Sequence, residues 1–463
     1  MAGGRHAGRA LAFVLAALAL CLLVAPTAFA DTFVVTRRGD PVPGACKKSD
    51  CSLREAVRAA NAHPGSDKVV LPSTKPYTLA RTGMPEDGAQ SGDLDVTNDP
   101  LRIVHSGPGR ATIDAKGIDR VFEIFVGAPT HLEKLRITGG DFPSSNSGDG
   151  GGIRTSANLW LVHSVLTDNH ARGANGAGGG LQALDGKLWI LESTISRNVA
   201  ADSSGALDVG NHGVVVKNST ITRNRAVFAG VGYFYGDGET TIGASTVSGN
   251  RSTGDTGGIY FSESAGTLFI DRSTFSGNVA ATDGGGLSAR NGEVKIVNST
   301  FAGNKAGGDG GGLWAFVEVQ LNAVTIARNL ADSDNAGGGV GAGILVVPSV
   351  GADVRVRNTI VALNRFGGGA ANECAGDPVT SLGHNMLVTR GPMDACSGFE
   401  APSDRVGGHL RLGKLMRNGG ATKTIALRKG SAAINKADAS TAPGRDQRGV
   451  KRRDPDVGAF ERR

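Results

Sequence analysis

Aromatic residues are scarce in this chain. Phe, Tyr and Trp make up 5% of its 463 residues, with only three Trp and four Tyr. So little large apolar volume disfavours a thick globular core. Long apolar runs are also missing after about residue 25, so nothing later in the chain approaches the ~20 residues that span a bilayer as a helix. Charge of one sign is absent too. The formal net charge is only +6, which argues against nucleic acid as a partner. Cysteine is rare, at five residues, and no Cys-x-x-Cys pair occurs, which disfavours a zinc site. No phosphate loop, zinc-protease helix or nucleophile elbow is present. His163, His212 and His384 have no Ser or Cys partner that periodicity would bring close. What the chain has instead is glycine, 71 of them.

Residues 1–30 carry Arg5 and Arg9, an apolar run over about 11–25, and Ala28-Phe29-Ala30. This pattern predicts a secretory signal peptide cleaved before Asp31, and therefore a secreted or cell-surface protein with no membrane span after its removal. Cys46, Cys51, Cys374 and Cys396 remain. In an oxidising compartment, proximity pairs Cys46 with Cys51 and Cys374 with Cys396.

The glycines belong to a repeat. Ser193-Thr194-Ile195-Ser196-Arg197-Asn198 is followed by similar runs ending at Asn224, Asn278 and Asn304, with weaker copies ending at Asn169, Asn250, Asn329 and Asn364. The spacings are 29, 26, 26, 28, 26, 25 and 35 residues. Small-residue clusters such as Gly178-Gly179-Gly180-Leu181 and Gly310-Gly311-Gly312-Leu313 keep step with them. Eight positions before each asparagine stand Leu161, Ile190, Val216, Ile242, Ile270, Ile296, Leu321 and Val356. Apolar residues also recur ten and three positions before it, apart from Thr240 in the first of these sets. The period-two alternation and the β-branched residues indicate strands. A unit of about 26 residues cannot bury its apolar face alone and must stack on its neighbours. Triple glycines would cost a helix about 1 kcal/mol each relative to alanine. The reading is an all-β solenoid of short parallel strands. Its asparagines, and the serines five positions earlier, form inward ladders that satisfy buried turn backbone.

Ser52-Leu53-Arg54-Glu55 forms a capping box. Leu53, Ala56, Val57 and Ala60 then share one face, so a short amphipathic helix is expected, stopped at Pro64-Gly65 and covering the end of the solenoid. Cys51-Ser52-Leu53-Arg54-Glu55-Ala56 resembles the signature of exported bacterial proteins called after their CSLREA motif. Gly92-Asp93-Leu94-Asp95-Val96 and Asp119-Arg120-Val121-Phe122 resemble the sequence that follows it in that family. Asp446-Gln447-Arg448-Gly449 and Asp456-Val457-Gly458-Ala459-Phe460-Glu461 resemble the choice-of-anchor Q terminal module. The glycine clusters and Phe-x-x-Asn repeats resemble polymorphic outer-membrane adhesins. The resemblance implies a right-handed parallel β-helix of the pectin-lyase-like class. The expected organisation is a signal peptide at 1–30, a cap at 31–66, the β-helix at 67–366 and a C-terminal flank at 367–463.

Fold does not give function. The leading reading is a monomeric, non-enzymatic surface or matrix protein that binds a polysaccharide or another cell-surface component. The alternative is a polysaccharide lyase or glycoside hydrolase acting on acidic polysaccharide. The expected binding face carries Trp160 and Trp189, which point outward between inward leucines and isoleucines. Val215, Thr241 and Phe269 continue their column, which ends at Lys295, Gln320 and Arg355. The competing reading is that a loop or the terminal segment covers this stripe. Asp255, Asp283 and Asp309 lie on consecutive coils and form a candidate Ca²⁺ column, with Asp149 at the matching position upstream. Turn formation is the competing role for all four. Asp185, Asp237 and Glu263, with Asn211, are read as turn residues, and Lys451-Arg452-Arg453 as a solvated charge run.

Overall fold

In the computed structural model the described residues are 30–83, 86–142, 149–389 and 397–463. The expected leader and Cys396 therefore lie outside them. Among the described residues the strands form three long parallel sheets of 22, 13 and 9 strands and one antiparallel pair. The chain is a parallel β-solenoid.

Like residues stack as the repeat predicts. Leu161 pairs in register with Ile190, and the column continues through Val216, Ile242, Ile270, Ile296 and Leu321 to Val356. The residues three before each asparagine form a second column, from Leu166 to Val361, in the 13-stranded sheet. Phe275 and Phe301 stack within it at 4.7 Å. All of these residues are buried.

The turns explain the polar ladders. The residue before each serine is left-handed, for example Glu192 (φ 50°) and Arg272 (φ 49°), and so is the residue before each asparagine, for example Arg197 (φ 56°) and Gly277 (φ 62°). One left-handed residue bends the chain sharply and leaves backbone groups without a strand partner. The side chains supply partners. From Asn169 to Asn364 each asparagine donates through Nδ2 to Oδ1 of the next, at 2.9–3.0 Å. The serine hydroxyls accept backbone N–H groups from the preceding coil at 3.0–3.1 Å. The asparagine ladder ends on Glu373, a buried carboxylate that accepts from Asn364 Nδ2 at 2.6 Å.

The helix Leu53–Ala62 forms with its full capping box. The solenoid begins before it, because Thr32–Val34 already pairs in parallel with Lys68–Val70. The Cys46–Cys51 disulfide is present. Cys374 is buried and disulfide-bonded.

Three expectations change. Glu263 is not a turn residue; it lies within the strand Ile259–Asp271 with its side chain buried. Arg452 is not solvated; it is buried, pairs with Glu461 at 3.3 Å and donates to Gly458 O at 2.7 Å. The terminal segment packs on the 13-stranded sheet rather than on the tryptophan column. Buried Gln447 donates to Thr274 Oγ1 at 2.8 Å and accepts from Thr300 Oγ1 at 2.6 Å, and Ala459 N donates to Thr325 Oγ1 at 3.0 Å. These threonines project outward, next to the inward column, and so form a ready polar strip for an extended segment.

Candidate binding site

Three segments far apart in sequence meet near the N-terminal end of the solenoid. Arg54, on the helix, is fully buried and pairs with Asp40 at 2.8 Å. Its guanidinium also donates to the carbonyls of Ser91, Gly92 and Asp93 at 2.7–3.0 Å. That fork fixes the backbone which presents Asp93. The next strand, Leu94–Val96, turns Leu94 and Val96 into the core and Asp95 to the other face. Asp95 is in register with Glu123, and Glu123 with Arg154. Gly92 has φ +57°, and a Cβ there would lie 2.4 Å from Asp119 Oδ2, so glycine lets this carboxylate close onto the loop.

The result is a cavity of about 230 Å³ lined by Glu86, Asp87, Asp93, Asp119, Glu123 and Asp149, with Arg120, Arg154 and Phe142. Arg120 pairs with Glu123, lies 3.6 Å from Asp93, and stacks over the Phe142 ring at 4.0 Å. Arg154 pairs with Glu123 at 2.5 Å. Two arginines thus face six lining carboxyls. Burial pushes Asp93 up to about 9, with Asp119 and Asp95 adding like-charge repulsion. Burial also raises Asp95 to about 7, against a stabilising N–H from Ala89. Asp119 is raised for the same reason. Such a site can retain protons at neutral pH, accept hydrogen bonds from hydroxyl groups, or hold a cation.

The outward column runs on from this cavity. Arg154 is followed in register by Gln182, Asp208, Tyr233, Tyr260, Ser288 and Trp314. Asp208 accepts from Ser204 Oγ at 2.8 Å and from the Tyr235 hydroxyl at 3.3 Å, and burial raises its carboxyl to about 6. Arg290 lies over the rings of Trp314 and Phe316 at 4.2 and 3.6 Å.

The expected tryptophan face forms as a second outward column of the same sheet. Trp160 and Trp189 are in register, half-buried and stacked at 4.4 Å, and His131 stacks on Trp160 at 4.2 Å. The rings are within 4° of parallel. Trp160 is therefore covered on both faces, by His131 and Trp189, while the far face of Trp189 lies toward Val215 on the next strand. Burial and the neighbouring Arg102 lower the His131 pKa and favour neutral imidazole in the stack. Phe269 is 38% exposed. The far end of the column is charge-paired: Lys295 with Glu293 at 2.8 Å, and Arg355 with Asp353 at 2.6 Å and Glu318 at 3.1 Å.

In the Asp255, Asp283 and Asp309 column each carboxylate accepts a hydrogen bond from the following coil. Asp255 accepts from Thr282, Asp283 from Asp309 N at 2.6 Å, and Asp309 from Val340 N at 2.7 Å. Among the described residues, the acidic group whose ligand atoms come within 4.8 Å of one another is Asp93, Asp95 and Glu123. Periodicity could not identify this group, because it precedes the regular repeat. The signal lay in the two family-like motifs that contain or adjoin its members.

No family model matches the chain, and no curated protein matches it. Among solved structures, pectate lyase Pel9A aligns over 94% of this chain and 96% of its own, at 15% identity and a TM-score of 0.45.

Proposed function

We propose that this chain is an exported, non-enzymatic binding protein that takes a hydroxyl-rich glycan at the cavity and along the outward column leading from it. One observation carries the reading. Carboxylates, two arginines and a phenylalanine converge on one concave site, continued by Gln182, Asp208 and the tyrosines. Planar polar groups beside an aromatic ring suit sugar hydroxyls and their apolar C–H faces. The family resemblance of the three motifs that build the site belongs to the same proposal. This reading places the glycan on the cavity column rather than on the neighbouring tryptophan column.

The test is affinity electrophoresis of the purified protein against a polysaccharide panel, with product sugars assayed in parallel. Retention without chain shortening is expected. Arg154→Ala should weaken retention about tenfold, the loss of a charged hydrogen bond. Its melting temperature should hold, because the side chain is partly exposed and Glu123 keeps Arg120. No retention on any polymer would reject the reading, as would undiminished retention by the variant. Shortened chains would favour the lyase or hydrolase alternative.

A further inference from the structure

We propose that Asp93, Asp95 and Glu123 form a binding site for a hard divalent cation of the calcium class. The three side chains each offer a carboxylate oxygen, and these oxygens all lie within 4.8 Å of one another. A second observation is independent of this clustering. Asp95 is completely buried, its Oδ2 accepts the Ala89 N–H, and its Oδ1 has no hydrogen-bond partner. A buried carboxylate oxygen without a donor is costly unless something positive meets it. The nearby arginines do not meet it. Both reach Glu123, and Arg120 lies at 3.6 Å from Asp93.

The donor set decides the class of ion. All three ligands are carboxylates, with neither imidazole nor thiolate in the group, so a hard cation is favoured over zinc or copper. Asp119, Asp149, Glu86 and Asp87 line the cavity that Asp93 and Glu123 also line, and add negative potential around the site. Rigidity is supplied from behind: Arg54 fixes the Ser91–Asp93 carbonyls, and the Asp95–Glu123 register fixes their separation. The fold thus holds the ligands in place before the ion arrives, which limits the ordering that binding requires.

The experiment is calorimetric titration of the full chain with Ca²⁺ after chelator treatment and dialysis, in the absence of any glycan. This keeps its outcome separate from that of the glycan proposal. One equivalent of Ca²⁺ should bind, and Asp95→Asn should weaken it at least tenfold while leaving the far-ultraviolet spectrum of the solenoid unchanged. Asp283→Asn, in the Asp255, Asp283 and Asp309 column, should bind as wild type does. Glu123→Gln gives a second reading if Asp95→Asn folds poorly. Absence of a Ca²⁺ isotherm in the wild-type protein overturns the proposal. So does wild-type affinity in the folded Asp95→Asn or Glu123→Gln protein, or loss of binding confined to Asp283→Asn.

Discussion

Replacing Asn250 by alanine should be among the most damaging single truncations in the solenoid. Its Oδ1 accepts from Asn224 N and Asn224 Nδ2, both at 3.0 Å. Its Nδ2 donates to Ile221 O at 3.1 Å and to Asn278 Oδ1 at 2.9 Å. Alanine removes all four bonds at a site with no solvent access. At a net ~1 kcal/mol each, with a further penalty for the stranded Asn224 N–H, the loss is about 4–6 kcal/mol. Asn250→Asp keeps the acceptor and loses both donors, and it places a buried carboxylate beside Asn278 Oδ1. It should be as unstable at pH 7 and partly recover in acid, where a protonated carboxyl can donate again. Urea unfolding gives the overall loss. Hydrogen exchange gives its location, because coils contact only their neighbours and the damage should centre on the coils ending at Asn224, Asn250 and Asn278. An Asn250→Ala protein within about 1 kcal/mol of wild type would refute the ladder as a main source of stability.

Two further outcomes are expected. Glu263 is buried, with one oxygen accepting from Thr240 Oγ1 at 3.1 Å and the other unpartnered, and burial raises it from 4.5 to about 7. Because the folded value exceeds the unfolded one, its contribution is full below pH ~4.5 and is lost as pH rises through 7, a change of about 3 kcal/mol. Glu263→Gln should therefore match wild type near pH 4.5 and exceed it at pH 8, as read by urea midpoints; parallel pH profiles would contradict this. Trp160→Ala with Trp189→Ala removes the two stacking contacts of the His131–Trp160–Trp189 stack, worth roughly 1–3 kcal/mol together, and should lower the melting temperature while leaving glycan retention intact. Lost retention at an unchanged melting temperature would restore that stripe as the contact surface.

The repeat could be read from the sequence because a parallel solenoid brings the same position of each coil to the same place. Spacing between asparagines therefore becomes register, and the stacking of Ile242, Ile270 and Ile296 follows from counting residues alone. The outward direction of Trp160 and Trp189 followed from period two in the same way. What period two could not convey was how the rings lie. Residues in register on adjacent strands, about 4.8 Å apart, stack face to face, so that His131 and Trp189 cover both faces of Trp160. Nor could it show that Glu263 is carried inside a long strand. The burial of Gln447 against Thr274 and Thr300, and of Arg452 against Asn298, joins positions 147–173 residues apart that no period relates.

The N-terminal cavity marks the limit of sequence reasoning most clearly. The motifs around Arg54, Asp93 and Asp119 were each visible, but nothing in the chain order says that they touch. Local pattern determines the strand, the turn and the stacking of one coil on the next, because those depend on neighbours at a fixed spacing. The meeting of a helix, a loop and two strands around one set of carboxylates depends on how the first irregular coils close. There the spacing varies, and only the tertiary structure decides which charges share a cavity.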